Sequence, residues 1–153
     1  LYGHARLSSI LKKAEGMGVF NRAPANVDAW AKLDHADELA LAMLLARFPE
    51  TLAEAAALRE PHRIVFFLQE LAGEFQSYFT RMKNDPILPK DSTRAEDGWL
   101  AKWDSDKTIA RLAWVRAIRA VYANALAAIG VSAPDRMDMP EAAAEAEAPE
   151  AQT

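Results

Sequence analysis

Apolar residues recur along most of the chain at steps of three and four, the spacing of a helix that buries one face. The clearest series follows Glu60-Pro61, a pair typical of a helix start with proline in the first turn, and continues for about five turns. Its apolar positions are Ile64, Phe67, Leu68, Leu71, Phe75, Tyr78, Phe79 and Met82. This spacing predicts one long amphipathic helix that packs on a core.

A second long series predicts the last helix of the chain. It begins near Asp104 or Ser105 and ends at Gly130-Val131. Glycine can adopt the left-handed conformation, and the apolar residue after it can fold back onto the last turn, which is a typical helix end. The apolar positions between these limits are Ile109, Leu112, Val115, Ile118, Val121, Tyr122, Leu126 and Ile129.

Two shorter helices are predicted between Asp34 and Leu58. Asp34 is the expected N-cap of the first one, with Asp37 and Glu38 favourably placed in its first turn. Pro49 is expected in the first turn of the second helix. These two helices join the two long ones in the predicted architecture.

The remaining segments are polar or irregular. Residues 17–33 contain turn-forming residues and at most a helical turn at Val27–Leu33, and residues 84–103 read as a long polar connection. No stretch alternates with period two, so strands are not expected. With a helix at the start of the chain, the sequence predicts an all-α fold, a bundle of about five helices.

The opening segment "LYGHARLSSILKKA" carries two stripes when it is drawn as a helix. One is mostly apolar, with a glycine where another helix can approach closely; its members are Gly3, Leu7, Ile10, Leu11 and Ala14. The other places Tyr2, Arg6, Ser9 and Lys13 in line at steps of four, three and four. A ring that stacks on a base, a guanidinium and an ammonium suit single-stranded nucleic acid. By itself the second stripe favours an ordinary solvated edge, with the tyrosine half-buried against the core.

Composition divides the chain into a foldable part and a tail. The 153 residues suit one domain. Residues 138–153 hold five acidic residues and no basic one, and removing their charge from the net −4 leaves +1 for the rest. Because this segment lacks enough apolar surface to order itself, we expect a disordered acidic tail at 138–153 after a helical domain at 1–137.

The sequence predicts no catalytic, cofactor-binding or metal-binding residue. The chain has no cysteine, and its three histidines lie far apart. It carries neither a glycine-rich phosphate loop nor a nucleophile motif, and no acidic residue falls within an apolar pattern where burial would shift its pKa. No apolar run approaches the roughly 18 residues of a membrane span, and no signal-peptide pattern is present. A soluble cytoplasmic protein without membrane contact is therefore expected.

Four stretches resemble one family, the arginyl-tRNA synthetases, in their helical anticodon-binding domain of the DALR type. "YGHAR" resembles the Tyr-Ala-His-x-Arg signature that opens that domain. "EPHRIVFFLQELAGEFQSYF" resembles its long helix, "ARLAWVRAIRAVYANAL" its Ala-Arg-Leu-x-Leu helix, and "LAAIGVSAPDRM" its closing Leu-Gly-Val-x-x-Pro-Glu-x-Met. The four lie in the family's order and span residues 2 to 137.

The resemblance implies a domain that binds the anticodon loop of arginine tRNA. The loop bases enter a pocket formed by the first helix, the end of the long helix and the last residues of the domain. By position, the implied anticodon-binding residues are Tyr2, Arg6, Phe79, Lys83 and Met137, and possible RNA backbone contacts are Lys13 and Arg136. His4 belongs to the opening motif but lies off the stripe of Tyr2 and Arg6, which indicates a structural role.

The resemblance also implies a larger enzyme. In that family the domain follows a catalytic domain whose ATP-binding motifs do not occur in this sequence. The chain is therefore expected to be a C-terminal piece that starts inside its first helix and is inactive by itself. The whole protein would be an arginine–tRNA ligase that uses ATP and Mg²⁺, with arginine tRNA and the catalytic domain of the same chain as partners. A monomer is expected.

Two alternatives and two departures stay open at this point. Glycyl- and cysteinyl-tRNA synthetases carry related helical domains, although the closing "GVSAPDRM" favours arginine; a helical protein-interaction module without RNA binding is the other alternative. The long connection brings Trp99 and Trp103 beside basic residues, either as an RNA contact or, as we favour, as a loop held on the bundle by tryptophans. The acidic tail would have to point away from an RNA pocket.

Overall fold

The computed structural model describes residues 2–133, and within that range every regular element is a helix. Five helices are long and three have four residues each. In chain order they are α1 (Tyr2–Met17), α2 (Val27–Trp30), α3 (Ala36–Ala46), α4 (Phe48–Leu58), α5 (His62–Arg81), α6 (Asp91–Arg94), α7 (Trp99–Lys102) and α8 (Ser105–Ala128). The predicted all-α bundle is confirmed, and the five long helices are the five that the sequence predicted.

Helix α8 is the centre of the bundle. It contacts α1, α2, α3 and α5, while α3 and α4 both pack against α5. Leu112, Val115 and Ile118 of α8 have no measurable exposure. Because α8 has neighbours on several sides, its buried residues spread over more of its circumference than a single amphipathic stripe provides.

Most of the predicted helix limits are confirmed. The Asp104 side chain accepts a hydrogen bond from the Lys107 backbone N–H (3.1 Å) at the start of α8. At its end, Gly130 has φ +76° and the Val131 N–H donates to the Leu126 carbonyl (2.9 Å). This is the glycine-based helix end that the sequence predicted.

The predicted N-cap of α3 was wrong by one residue. His35, and not Asp34, occupies the position, and its Nδ1 accepts a hydrogen bond from the Asp37 N–H (3.2 Å). The Glu38 side chain accepts in return from the His35 N–H (3.3 Å). Glu38 therefore sets the register, since the reciprocal arrangement requires a carboxylate three residues after the cap.

Helix α1 lies against α8 at very close range. A Cβ atom on Gly3 would come within 3.1 Å of the Tyr122 ring, so a side chain at this position would displace that ring. This confirms the prediction that the glycine marks a close helix contact. His4 is 2% exposed, with its ring centroid 6.3 Å from that of Tyr122, as expected for a structural residue.

The connection at 84–103 contains less irregular structure than the sequence predicts, and it is more buried. It contains α6 and α7, and its Ile87 side chain belongs to the core. Trp99 and Trp103 pack against the core, and the Trp103 Nε1–H donates to Thr108 Oγ1 (2.7 Å). The structure thus supports the interpretation of a loop that tryptophans hold on the bundle.

The C-terminal predictions fall on residues that the structure does not describe. Arg136, Met137 and the acidic segment 138–153 all lie outside residues 2–133. Within those described residues, none of the helices combines the length and the apolar character needed to cross a membrane.

Candidate nucleic-acid interface

Helix α1 presents its predicted polar stripe to solvent. Tyr2, Arg6, Ser9 and Lys13 are all exposed, while Leu7 and Leu11 on the neighbouring face are buried in the core. Tyr2 is 80% exposed, so the alternative in which this ring is half-buried against the core was wrong. The buried face holds the helix, and the stripe stays available for a ligand.

Arg6 lies over the ring of Phe79, on the last turns of α5. Its guanidinium carbon is 5.3 Å from the ring centroid, a distance at which a cation and an aromatic face attract each other. Arg6 Nη1 also donates a hydrogen bond to Gln76 Oε1, one turn earlier on α5. Phe79 is 43% exposed, although it belongs to the same apolar series as the buried Phe75. Together these residues form an aromatic and cationic platform that faces solvent.

Three neighbouring cavities extend from this platform. One of about 300 Å³ is lined by Arg6, Ser9, Ile10, Lys13, Phe79, Pro86, Ile87 and Leu88. A second of about 360 Å³ is lined by Tyr78, Phe79, Met82, Lys83, Pro86, Ile87 and Lys90. A third of about 260 Å³ is lined by Tyr2, Gly3, Arg6, Ala72, Phe75 and Gln76. Neighbouring cavities share lining residues, and we call the depression that they form between α1, the end of α5 and residues 86–90 the α1/α5 groove.

The α1/α5 groove has an apolar lining and a basic rim. Pro86 and Ile87 lie beside Phe79 in both larger cavities, and Lys13, Lys83 and Lys90 stand around them. The carboxylate of Asp91 next to this rim is paired with Arg94 (2.5 Å). That pairing, together with the nearby Lys13, lowers the pKa of Asp91, which keeps it ionised and locally balanced.

This arrangement suits the binding of unpaired nucleotides. Ligand sites are commonly apolar cavities of about 300–1,000 Å³ with a few polar groups that fix orientation. Bases stack on aromatic rings and on guanidinium planes, and lysines around such a site attract phosphates. Among residues 2–133 no cluster of three or more histidines and carboxylates is placed to hold a metal ion.

Five of the residues named from the sequence line one surface. Tyr2, Arg6 and Lys13 from α1 lie along the groove with Phe79 at the end of α5 and Lys83 just beyond it. The other two, Met137 and Arg136, lie outside the described residues. The groove therefore brings together residues that are far apart in the sequence, such as Arg6 of α1 and Phe79 of α5, which are 73 positions apart.

Sequence reasoning missed the wall that residues 86–88 contribute. The sequence predicts a polar connection here, yet Ile87 is 4% exposed and Pro86 and Leu88 line the cavities. A signal was present, since "PILP" is an apolar run within an otherwise polar stretch.

Sequence reasoning also missed a buried ion pair. Glu38 and Arg111 are 1% and 2% exposed, and Arg111 Nε donates to Glu38 Oε1 (2.6 Å). The Tyr78 hydroxyl donates to the same oxygen (2.8 Å), and burial raises the pKa of this tyrosine, so it stays protonated as a donor. The sequence analysis placed Glu38 only in the first turn of α3 and gave no indication that this carboxylate is buried.

Arg111 reaches from this buried pair to Asp85. Its Nη1 and Nη2 donate to the two carboxylate oxygens (3.0 and 2.8 Å), and Nη1 also donates to the Asp85 carbonyl (3.2 Å). Lys107 Nζ adds a contact to Asp85 Oδ2 (2.8 Å). Hydrogen bonds from Arg111 and Lys107 lower the pKa of Asp85 to about 2. Two cations and two carboxylates thus form one cluster of balanced charge beside the groove. We call it the buried cluster, because Glu38 and Arg111 at its centre are buried; its other members are Asp85 and Lys107.

Comparisons with known proteins agree with the resemblance that the four sequence stretches indicated. The family model of the DALR anticodon binding domain matches residues 1–137. The arginine–tRNA ligase of Anaeromyxobacter dehalogenans strain 2CP-C is 41% identical over 143 residues, which cover 92% of this chain and 21% of that protein. The arginine–tRNA ligase of Syntrophotalea carbinolica is 43% identical over 136 residues, which cover 89% of this chain and 22% of that protein.

A third relative gives the same result. The arginine–tRNA ligase of Nitratidesulfovibrio vulgaris strain DP4 is 41% identical over 138 residues, with 89% of this chain and 22% of the relative covered. The chain thus spans about one fifth of the length of the curated relatives that it matches. With a family model that matches all of its described residues, this chain belongs to the DALR anticodon-binding domain family.

Proposed function

We propose that the α1/α5 groove binds the anticodon loop of arginine tRNA, and that this chain is the anticodon-binding part of an arginine–tRNA ligase. The observation that carries the proposal is Arg6 stacked over the exposed ring of Phe79, where apolar cavities with a basic rim meet. Membership of the family and the names of the relatives support RNA as the partner of this groove.

Each groove residue has a role in this proposal. Phe79 and Arg6 offer stacking surfaces for unpaired bases, and Tyr2 continues that surface along α1. Lys13 and Lys83 contact phosphates, whose negative charge they neutralise. Met137 and Arg136 enter by resemblance alone, the first beside a base and the second on the RNA backbone.

The whole enzyme belongs to the same proposal. A catalytic domain elsewhere in the protein would use ATP, arginine and Mg²⁺ to charge the tRNA that this domain selects. The partners are then arginine tRNA and that catalytic domain, and the protein acts as a monomer in the cytoplasm. The catalytic activity and the partners rest on the resemblance and on the ligase names of the relatives, and the location rests on the sequence, which carries neither a membrane-span nor a signal-peptide pattern.

Binding to three RNAs at low salt tests the proposal. They are the anticodon stem-loop of arginine tRNA, the same RNA with its middle anticodon base changed, and an unrelated stem-loop. We expect preference for the first, lost in Arg6→Ala because the stacked guanidinium is removed. Arg6→Lys keeps the charge without the planar group, so it separates stacking from simple charge.

The other outcomes contradict the proposal in different ways. Equal binding to all three RNAs would leave only electrostatic affinity and remove anticodon recognition from this domain. Preference for a glycine or cysteine tRNA stem-loop would replace arginine as the substrate. A folded chain that binds none of them would favour the protein-interaction module.

A further inference from the structure

We propose that Arg111 is a positioning residue for RNA binding: by holding Asp85, it fixes the wall of the α1/α5 groove formed by residues 86–88. This inference rests on the proposed function. Neither Arg111 nor Asp85 lines the two cavities that Pro86 and Ile87 border. Arg111 and Asp85 therefore affect RNA binding indirectly, because they determine the position of the residues that follow Asp85.

Asp85 is held through both its side chain and its backbone. Arg111 donates to both carboxylate oxygens and to the carbonyl oxygen of Asp85. The Asp85 N–H donates to the Met82 carbonyl (3.2 Å) at the end of α5. A planar guanidinium that binds a carboxylate through two parallel bonds fixes orientation as well as distance. The chain therefore enters Pro86 in a defined direction.

Arg111 is itself held by the core. Its Nε binds Glu38 of α3, and the Tyr78 hydroxyl of α5 binds the same carboxylate oxygen. Three of the long helices meet at this cluster, which places Arg111 in the rigid part of the bundle. Tyr78 also precedes Phe79 directly in the sequence. The same buried cluster therefore contacts both the part of α5 that carries the stacking platform and, through Arg111, the start of the wall.

Charge and position predict opposite effects of removing the Asp85 carboxylate. Without it, the surface next to Lys83 and Lys90 gains a net positive charge, and electrostatics alone predict tighter binding of RNA. If Asp85 positions the wall, the same change lets residues 86–88 move, and RNA binding becomes weaker. The sign of the change therefore separates the two explanations.

The experiment compares Asp85→Ala with the unchanged 153-residue chain for binding to the arginine anticodon stem-loop over a range of salt concentrations. We expect about tenfold weaker binding, since a binding site must be held within about 0.5 Å by its supporting residues. The salt dependence should stay unchanged, because no phosphate contact is lost. NMR order parameters of the Ile87 methyl groups should fall in the variant without RNA.

A matched control removes a carboxylate of equal exposure away from the groove. Glu70 is 46% exposed and pairs with Arg47 (3.4 Å), while the Asp85 side chain is 47% exposed. Glu70→Ala should leave RNA affinity within about twofold of the unchanged chain, as expected for an exposed pair. Asp85→Asn keeps the shape and one acceptor oxygen, so it should recover part of the affinity lost in Asp85→Ala.

The outcomes separate this inference from the proposed function. If the unchanged chain prefers the arginine stem-loop and Asp85→Ala binds equally or more tightly, positioning by Arg111 is wrong and the proposed function stands. If the unchanged chain shows no such preference, the proposed function fails and the inference fails with it. Because Asp85 is half-exposed, we expect Asp85→Ala and Asp85→Asn to leave the Glu38–Arg111 pair in place. Circular dichroism checks the fold of both Asp85 variants.

Discussion

Arg6 and Arg111 use the same side chain in opposite surroundings. Arg6 is exposed above the Phe79 ring, with Gln76 as a neutral partner. Arg111 is 2% exposed, and its Nε, Nη1 and Nη2 donate to two carboxylates. A guanidinium whose charge is balanced inside the protein has no capacity left for a ligand, whereas one that faces solvent beside an aromatic ring can bind a base or a phosphate.

The comparison teaches that charge by itself does not identify an RNA contact. What matters is whether the protein already neutralises the group. In the buried cluster Glu38 and Asp85 balance Arg111 and Lys107, whereas Lys13, Lys83 and Lys90 surround an apolar lining. The two regions therefore have different roles: the buried cluster maintains the geometry of the bundle, and the basic rim of the groove is available to a ligand.

Arg111→Met should have the largest effect on stability. It leaves Glu38 buried without its cation, and breaking one partner of a buried pair costs about 3–5 kcal/mol. Urea denaturation measures the loss. Arg22→Met is the matched control, because its pair with Asp106 (3.0 Å) is exposed and is worth at most about 1 kcal/mol. Equal losses in the two variants would mean that burial does not distinguish these arginines.

Phe79→Ala should have the largest direct effect on RNA binding. Removing a ring that stacks on a base costs about 1–3 kcal/mol of binding free energy. Because Phe79 is 43% exposed, the loss of stability should be smaller than for a core phenylalanine. Phe66→Ala on the same helix is the control, since this ring is 61% exposed and faces α4 residues instead. Similar losses of RNA affinity in both variants would contradict a specific platform.

Acid should weaken the buried cluster in a defined pH range. The pKa of Asp85 is lowered from 3.8 to about 2 in the folded chain. The unfolded chain therefore binds the proton first, so the stabilisation by Asp85 is complete above about pH 5 and is lost as the pH falls towards 2. Urea denaturation of the unchanged chain and of Asp85→Asn should show a difference that is constant near neutrality and shrinks in acid. A difference as large at pH 2 as at neutrality would contradict the ionised pairing.

The smallest expected effect concerns the basic rim. Lys13→Ala should reduce the slope of log affinity against log salt by about 0.7, the value for one phosphate contact in a single strand. Lys12→Ala changes the neighbouring lysine, which is exposed but does not line the groove. Fluorescence anisotropy titrations at several salt concentrations measure both slopes, and identical slopes would remove Lys13 from the RNA contacts.

Much of the fold could be predicted because its signals are local. Helical spacing, the Asp104 cap and the glycine at 130 each act within a few residues, so the limits of α8 followed from the sequence. The polar stripe of α1 was also visible, since helical period alone aligns Tyr2, Arg6 and Lys13. The N-cap of α3 was missed by one residue, because Asp34 is the residue type that a cap prefers, whereas the reciprocal bond with Glu38 places His35 there.

The groove and the buried cluster could be predicted only in part. The periodic series of α5 assigns Phe75 and Phe79 to the same face, yet the first is 3% and the second 43% exposed. Phe75 packs against Trp114 of α8, with ring centroids 6.2 Å apart, whereas Phe79 lies under Arg6 and lines the cavities, so the tertiary packing decides which ring is in the core. The resemblance supplied residues of α1 and α5, but it gave no indication of the wall between them.

The sequence by itself determined the helical class, most limits of the long helices and the stripe of α1, because each depends on neighbours within one or two turns. Only the tertiary structure decided which charges are balanced and which face solvent. Glu38 and Arg111 are 73 positions apart, and Asp85 and Arg111 are 26 apart. Pairing across such distances follows from how helices pack, and a local period of three and four residues carries no information about it.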